Sequence, residues 1–176
     1  MKRLVFCLAC FSLIFLQGCD YTPRPLPPIE VFFSPEGGCT EAVVRELDAA
    51  QSSVLVQAYS FTSRPIAQAL AAARRRGVHV EVIIDRKEID KFSQAGFLHH
   101  AGVPVCLDGR HAIAHNKVIV IDGKTVITGS FNFTKQAEER NAENLLVIRD
   151  IVLAEKYAAN WKQHAEHSEE YTGSEE

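Results

Sequence analysis

The segment from His115 to Thr134, HNKVIVIDGKTVITGSFNFT, constrains the fold more than any other part of the chain. Two runs rich in β-branched residues, KVIVI and TVITG, flank the turn sequence Asp122-Gly123-Lys124-Thr125. Alternating apolar runs on either side of a tight turn are typical of an antiparallel β-hairpin. The sequence therefore predicts strands over residues 117–122 and 125–133.

The same reading places strands and helices in alternation along the first half of the chain. Further strands are predicted over residues 29–34, 54–61, 78–85, 103–107 and 144–149, and helices over residues 40–51, 64–76, 88–100 and 151–164. Alternating strands and helices followed by a hairpin predict an α/β fold, a layered α-β-α domain with a mixed central sheet.

Four polar residues are expected to share one face of the hairpin. With a two-residue loop, in either register, His115 and Lys117 lie on the same face as Ser130 and Asn132, because side chains alternate with a period of two. Only a three-residue loop would separate the two pairs. Polar groups on an apolar hairpin are costly as mere structure, so this grouping indicates a site.

The chemistry of these residues suits a phosphodiester. Lys117 supplies a positive charge, Ser130 and Asn132 supply hydrogen-bond donors, and His115 can act as a nucleophile or carry a proton near neutral pH. Donors around the non-bridging oxygens stabilise the charge that develops at phosphorus. Glu143, at the start of the last predicted strand, is a candidate for orienting the imidazole.

Asp122 lies seven residues beyond His115 and at the turn. In a regular strand an odd spacing directs the two side chains to opposite faces. We therefore expect Asp122 to support the turn or a neighbouring strand and not to touch the His115 ring.

The pattern H-x-K-x-x-x-x-D, followed by Gly129-Ser130 and Asn132, resembles the HKD motif of the phospholipase D superfamily. The resemblance covers about residues 31–161, including the YSFT stretch at residues 59–62 and the N-x-E-N sequence around Glu143. It is greatest with the small exported bacterial endonucleases of that superfamily. It implies catalytic roles for His115, Lys117, Asp122 and Glu143, phosphate binding by Lys117, Ser130 and Asn132, and a covalent phosphohistidine formed without a metal or other cofactor.

The mechanism that the resemblance implies needs two histidines, one as nucleophile and one to protonate the leaving oxygen. No other histidine of this chain is followed by lysine two residues later. The resemblance therefore implies a symmetric homodimer in which both His115 rings face one active site. We found no cluster of acids, cysteines and histidines at metal-ligand spacing in the sequence.

The substrate stays open among three hypotheses. The first is a sequence-nonspecific endonuclease for DNA and also RNA, the second a phospholipid hydrolase or phosphatidyl transferase, and the third a non-catalytic nucleic-acid-binding module. The chain has 19 Lys and Arg and 22 Asp and Glu, a formal net charge of −3. This balance excludes a protein that coats nucleic acid through bulk charge, so binding must be local.

The N-terminus predicts export. Lys2 and Arg3 precede an apolar run, which is typical of a signal peptide over residues 1–18. The LQGC sequence leaves two alternatives open. Either Cys19 is lipidated and anchors a periplasmic protein to the inner membrane, or an ordinary signal peptide is cleaved near the same place. Residues 19–28 form a proline-rich tether, residues 29–166 the catalytic domain and residues 167–176 an acidic flexible tail.

Cys39 and Cys106 are the two cysteines that remain in the domain. In an oxidising compartment they either form a disulfide or stay as two buried thiols.

Overall fold

The computed structural model describes residues 25–173, and the predicted leader, Cys19 and most of the tether lie outside them. The strands are β1 (Ile29–Ser34), β2 (Ser53–Ala58), β3 (His79–Asp85), β4 (Val105–Asp108), β5 (Lys117–Ile121), β6 (Thr125–Gly129), β7 (Glu143–Arg149) and β8 (Glu169–Glu170). The helices are α1 (Cys39–Ala49), α2 (Arg64–Arg75), α3 (Ala95–His100), α4 (Lys135–Glu139) and α5 (Ile151–Ala165).

The strands form one mixed sheet with the order β1-β7-β6-β5-β2-β3-β4-β8. Strands β2, β3 and β4 are parallel to one another, and α2 lies between β2 and β3 in the chain, as a crossover connection requires. All other neighbours pair antiparallel. The predicted α/β fold with a mixed central sheet is confirmed.

Each face of the sheet carries its own apolar layer. On one face, Leu47 of α1 and Leu70 of α2 are fully buried in a core with Ile119 and Ile127. On the other, α5 packs over Val118, Val120 and Val126, and the Trp161 indole N–H donates to the carbonyl of Val56 at 2.9 Å. This is the expected α-β-α arrangement. Within residues 25–173 no helix is long and apolar enough to cross a bilayer.

The predicted helix over residues 88–100 is wrong in its first half. The chain forms a 3₁₀ turn at Arg86–Glu88, and α3 begins only at Ala95. Between them the Asp90 carboxylate accepts the backbone N–H groups of Phe92 (2.8 Å) and Ser93 (3.0 Å). A short acidic side chain that binds nearby backbone competes with helix formation, which explains the interruption.

The prediction of a flexible tail over residues 167–176 is also wrong in its first half. Glu169–Glu170 pair antiparallel with β4, and the next residue, Tyr171, is buried. The acidic composition indicated a solvated segment, but the segment has specific contacts with the domain. The Tyr171 ring is buried, the Tyr171 N–H donates to the carbonyl of Val105 at 2.9 Å, and Glu169 pairs with Arg86 at 2.6 Å.

Cys39 and Cys106 are both free thiols, so the disulfide alternative is not realised. Cys39 is buried in α1, whereas Cys106 lies in β4. Burial raises the pKa of the Cys39 thiol to about 11. A thiol in this state is protonated at neutral pH and behaves as a small apolar core residue.

Candidate active site

The hairpin between β5 and β6 has a three-residue loop, which neither predicted register contains. Ile121 pairs with Thr125, so Asp122, Gly123 and Lys124 form the loop. Asp122 (φ 53°) and Gly123 (φ 62°) both adopt left-handed backbone conformations. Regular pairing from this loop would place Ser130 on the face opposite to Lys117.

A β-bulge after β6 brings Ser130 back to the face of Lys117. The N–H groups of Ser130 and Phe131 both donate to the carbonyl of Asn144, at 3.1 and 3.2 Å. Two residues that oppose one are the mark of a bulge, which re-aims the side chains that follow it. The Ser130 hydroxyl consequently reaches Glu143, donating to its Oε2 at 2.6 Å.

Glu143 and Lys117 share a face of the sheet, as their strand neighbours show. Leu145 and Val147 of β7 line the same core as Ile119 and Ile121 of β5. Side chains alternate along a strand, so Lys117, the first residue of β5, and Glu143, the first residue of β7, lie on that same face. Both strands run in the same direction, so their first residues lie at the same end of the sheet. Lys117, Ser130 and Glu143 therefore share a face because of the bulge. The predictions had placed Lys117 and Ser130 together through a two-residue loop.

Gly129 is the residue that permits this bulge, and Gly129→Ala should be strongly destabilising. Its φ of 154° is unfavourable for other residues, and an added Cβ would lie 2.2 Å from the carbonyl oxygen of Asn144. We expect a loss of about 2–3 kcal/mol in the free energy of unfolding, measured with urea. Gly123→Ala is the matched control, because its added Cβ meets nothing within 4 Å and only the backbone conformation is disfavoured. Equal losses in the two variants would contradict the steric explanation.

Lys117 is the first residue of β5, and His115 lies two residues before it. The His115 ring is exposed and packs against Tyr59 with ring centroids 4.6 Å apart. Lys117 is only 6% exposed; its Nζ donates to the carbonyl of His115 at 3.0 Å and lies 5.1 Å from the Tyr59 ring centroid. Burial lowers the pKa of Lys117, and the carboxylates of Glu143 and Glu88 partly offset that effect.

The loop that leads into His115 is fixed by Asp85, at the end of β3. The carboxylate of Asp85 accepts the N–H of Ala114 at 2.5 Å and that of Lys87 at 2.8 Å. The Lys87 ammonium in turn donates to the carbonyl of Ala112 at 2.6 Å. Asp85 was not predicted from the sequence. An aspartate directly after a run of apolar strand residues could have indicated it.

Tyr59 and Glu88 are two further site residues that were missed. A hydrogen bond to Glu88 raises the pKa of the Tyr59 hydroxyl, and Tyr59 contacts both His115 and Lys117. Tyr59 belongs to the YSFT stretch, but the sequence alone did not indicate that its ring would support the histidine.

The predicted contact between Glu143 and the imidazole is not made within one chain. The two oxygens of Glu143 bind Ser130 and the side-chain amide of Asn141, the latter at 3.0 Å. Among residues 25–173 the His115 ring has ring packing with Tyr59 but no hydrogen-bond partner. Asn132 is not joined to the other site residues by a hydrogen bond either, and its Oδ1 is buried without a partner in the described part of the chain.

Asp122 does not belong to the reacting centre, which corrects the catalytic role that the resemblance implied. It lies at the far end of β5, about 20 Å from His115 at strand spacing. Its carboxylate accepts the backbone N–H groups of Gln51, Ser52 and Ser53. Asp122 is a positioning residue that ties the hairpin turn to the beginning of β2, as its parity predicted.

Together, the exposed imidazole of His115, the buried ammonium of Lys117 and the Ser130 hydroxyl have the chemistry that a phosphate-ester site requires. A fixed positive charge in a partly desolvated position attracts anions, and an exposed imidazole is accessible to a bound ester.

Comparison with known proteins places this site in a family. Residues 43–165 match the family model described as cardiolipin synthase, PLD-like domain. A phospholipase D of Rickettsia felis is 46% identical over 134 residues, which are 76% of this chain and 67% of the relative. The mitochondrial cardiolipin hydrolase of Xenopus laevis is 35% identical over 155 residues, covering 81% of this chain and 73% of the relative.

Solved structures give the same assignment. Nuc from Salmonella typhimurium, a phospholipase D family member, superposes with a TM-score of 0.80 at 39% identity, covering 82% of this chain and 98% of Nuc. NucT from Helicobacter pylori superposes with a TM-score of 0.75 at 28% identity, covering 82% of this chain and 99% of NucT. The chain therefore belongs to the phospholipase D superfamily and is a phosphodiesterase of that superfamily.

Proposed function

We propose that this phosphodiesterase is an endonuclease that cleaves DNA, and RNA by the same chemistry, without sequence preference. The observation that carries the proposal is His115, an exposed imidazole without a hydrogen-bond partner in the described chain, beside the buried Lys117. The His115 ring is exposed, so the ester of a long polymer can reach it from solvent. The solved Nuc and NucT chains, which this chain covers almost completely, have the same size of domain.

In the proposed reaction a ring nitrogen of His115 attacks phosphorus, a P–N bond forms, and the bond from phosphorus to the leaving oxygen breaks. A second imidazolium donates its proton to that oxygen. Water then attacks the phosphohistidine and breaks the P–N bond, and the second imidazole takes the proton from water. Lys117 binds the non-bridging oxygens throughout, and Asn132 supplies an amide beside them. The Ser130 hydroxyl, which has one proton and donates it to Glu143 in the free protein, donates to the phosphate only when that proton turns away from Glu143.

The second imidazole is proposed to be His115 of another copy of this chain. Each chain has a single His-x-Lys pair, so a twofold axis beside the site supplies the missing group. Ile113, which is 55% exposed two residues before His115, offers an apolar contact at the rim for such an interface.

Local features beside the site support a nucleic-acid substrate. Three exposed basic residues lie on neighbouring loops: Lys87 and Lys91 follow β3, and Arg110 lies on the loop that leads to His115. Lys87 joins the two loops through the carbonyl of Ala112. Phe92 is 62% exposed with the Lys91 ammonium 5.0 Å from its ring centroid. A basic rim with an exposed aromatic ring is suited to bind phosphates and to stack on a base.

A phospholipid substrate is the second candidate, and the relatives favour it. The Rickettsia proteins are named phospholipase D, and this chain covers about two thirds of their length. The exposed side chains of Ile113 and Phe92 could also contact acyl chains. The two candidates share the phosphohistidine chemistry and differ in what surrounds the ester.

A side-by-side assay separates the hypotheses. The protein is incubated with supercoiled plasmid, with single-stranded RNA and with vesicles of cardiolipin and phosphatidylcholine, each with and without EDTA. Nicking of the plasmid in EDTA with intact lipid supports the proposal. Release of phosphatidic acid with intact plasmid overturns it in favour of the lipid enzyme, and tight binding of DNA without cleavage favours the non-catalytic module.

The homodimer is tested independently. Sedimentation should give twice the chain mass, and adding excess His115→Ala protein to wild-type enzyme should reduce activity through mixed dimers. Full activity of a strictly monomeric protein would contradict the shared site while leaving the nuclease assignment intact.

A further inference from the structure

Three histidines surround one buried carboxylate at the end of β4, on the far side of the loop that leads to His115. Asp108 Oδ2 lies 2.9 Å from Nδ1 of His111, 2.8 Å from Nδ1 of His164 and 3.3 Å from Nε2 of His167. One ligand atom from each of the four residues can be chosen so that all lie within 4.8 Å of one another. The sequence did not predict this cluster.

We propose that Asp108, His111, His164 and His167 form a structural transition-metal site that binds Zn²⁺. Imidazole nitrogens and carboxylate oxygens are zinc ligands, and four of them complete a tetrahedral shell. Ligand atoms about 2.1 Å from zinc are about 3.4 Å apart in a tetrahedron, which is close to the spacing around Asp108. Three imidazoles favour zinc over magnesium or calcium, which prefer oxygen ligands.

The alternative, a cluster held by hydrogen bonds alone, overloads the carboxylate. Besides the three rings, Asp108 Oδ1 accepts the N–H groups of Arg110 (3.1 Å) and His111 (3.4 Å). Five donor groups therefore compete for about four lone-pair positions of a carboxylate. A cation that takes the ring nitrogens as ligands removes this excess, because those nitrogens no longer need to donate to Asp108.

The surroundings have the features of a metal site. The backbone N–H groups on Oδ1 fix the carboxylate and leave Oδ2 toward the rings, which is how outer-shell contacts orient a ligand. The His111 side chain is 43% exposed and gives an ion access from solvent.

The ion would join distant parts of the chain. His164 lies in the last turn of α5 and His167 just beyond it, whereas Asp108 and His111 begin the loop that ends at His115. Zinc would clamp the C-terminal end of α5 to this loop. Its role is structural, since the four ligands are separate from the residues that bind phosphate.

The test uses the full chain without a polyhistidine tag, because a tag would bind the same metals. After removal of metal with EDTA and then of EDTA, the protein is titrated with Zn²⁺ against a chromophoric chelator, and its thermal midpoint is measured with and without Zn²⁺. We expect one zinc per chain and a rise of about 5–10 °C in the midpoint at saturating zinc. Co²⁺ in place of Zn²⁺ should give the visible absorption of a tetrahedral site.

His164→Gln should weaken zinc binding by about 100-fold or more and abolish the thermal shift. The matched control is His79→Gln, an exposed histidine at the other end of the sheet, which should bind zinc as the wild type does. His111→Gln, at the exposed rim, serves if His164→Gln does not fold. Zinc binding unchanged in both cluster variants would overturn the proposal and assign the ion to other groups, such as the cysteines before residue 25. Absence of a thermal shift in the wild type would overturn it as well.

Discussion

His115→Ala should reduce phosphodiester cleavage by at least about 10³-fold, the largest effect expected of any single substitution in this chain. In the proposed mechanism the variant lacks the atom that attacks phosphorus, and the same change removes the proton donor from the other half of the proposed dimer. A 10³-fold loss corresponds to about 4 kcal/mol of transition-state stabilisation. The measurement is the initial rate of plasmid nicking at saturating enzyme.

The fold should tolerate this change, which makes the experiment specific. The His115 side chain is exposed and its ring packs against Tyr59, so the thermal midpoint of the variant should remain close to that of the wild type. His79→Ala is the control, because this histidine is exposed and its ring pairs with Glu81 at 3.1 Å. Wild-type cleavage by a correctly folded His115→Ala protein would overturn the role of the imidazole.

Binding separates catalysis from recognition in the same variant. Lys117 and the basic rim remain in His115→Ala, so DNA affinity should fall much less than the rate. If DNA affinity and cleavage rate fell to the same extent, the His115 ring would bind the substrate and not attack it.

The alternation of apolar residues was sufficient to predict the layers and nearly all strands, since burial on both sheet faces leaves a strong pattern. Strand β1 begins and ends where predicted. The hairpin shows the limit of this reasoning. Its loop length depends on the left-handed conformation of Asp122 and on a bulge at Ser130, and these are set by contacts with β2 and β7 that the local pattern does not contain.

The site was predicted where its residues are close in sequence and missed where they are distant. His115 and Lys117 could be paired from their spacing. Asp108 and His164 are 56 positions apart, and they meet because the C-terminal end of α5 lies beside the end of β4. The D-x-x-H and H-x-x-H spacings were available as a signal, but neither half is a complete ligand set.

Asp122→Ala should cost stability and leave the chemistry intact, the reverse of His115→Ala. The carboxylate accepts the N–H of Ser52 at 2.7 Å, that of Ser53 at 3.1 Å and the hydroxyl of Ser52 at 2.9 Å. Removing it leaves these donors without their acceptor, and we expect a loss of about 2–4 kcal/mol in the free energy of unfolding. The cleavage rate of the folded variant should stay within about twofold of the wild type, because the substitution lies far from His115.

The pH dependence of this loss identifies its cause. Burial acts to raise the pKa of Asp122, but the hydrogen bonds from Ser52, Ser53 and Gln51 outweigh it, and the folded-state pKa is lowered. A lowered pKa contributes stability above the unfolded value of about 3.9, and the contribution is lost as the pH falls toward the folded value. Urea unfolding should thus show a constant difference in the free energy of unfolding between wild type and Asp122→Ala from about pH 6 to 8. This difference should become smaller below about pH 4.

Lys124→Ala is the matched control in the same turn. The Lys124 ammonium lies 3.6 Å from Asp122 Oδ2 and is 60% exposed, so this ion pair contributes little and its removal should cost less than about 1 kcal/mol. If Lys124→Ala proved as destabilising as Asp122→Ala, the turn would depend on charge pairing. If the loss of unfolding free energy in Asp122→Ala were the same at pH 3 as at pH 7, the ionised carboxylate would not be the group that ties β5 to the beginning of β2.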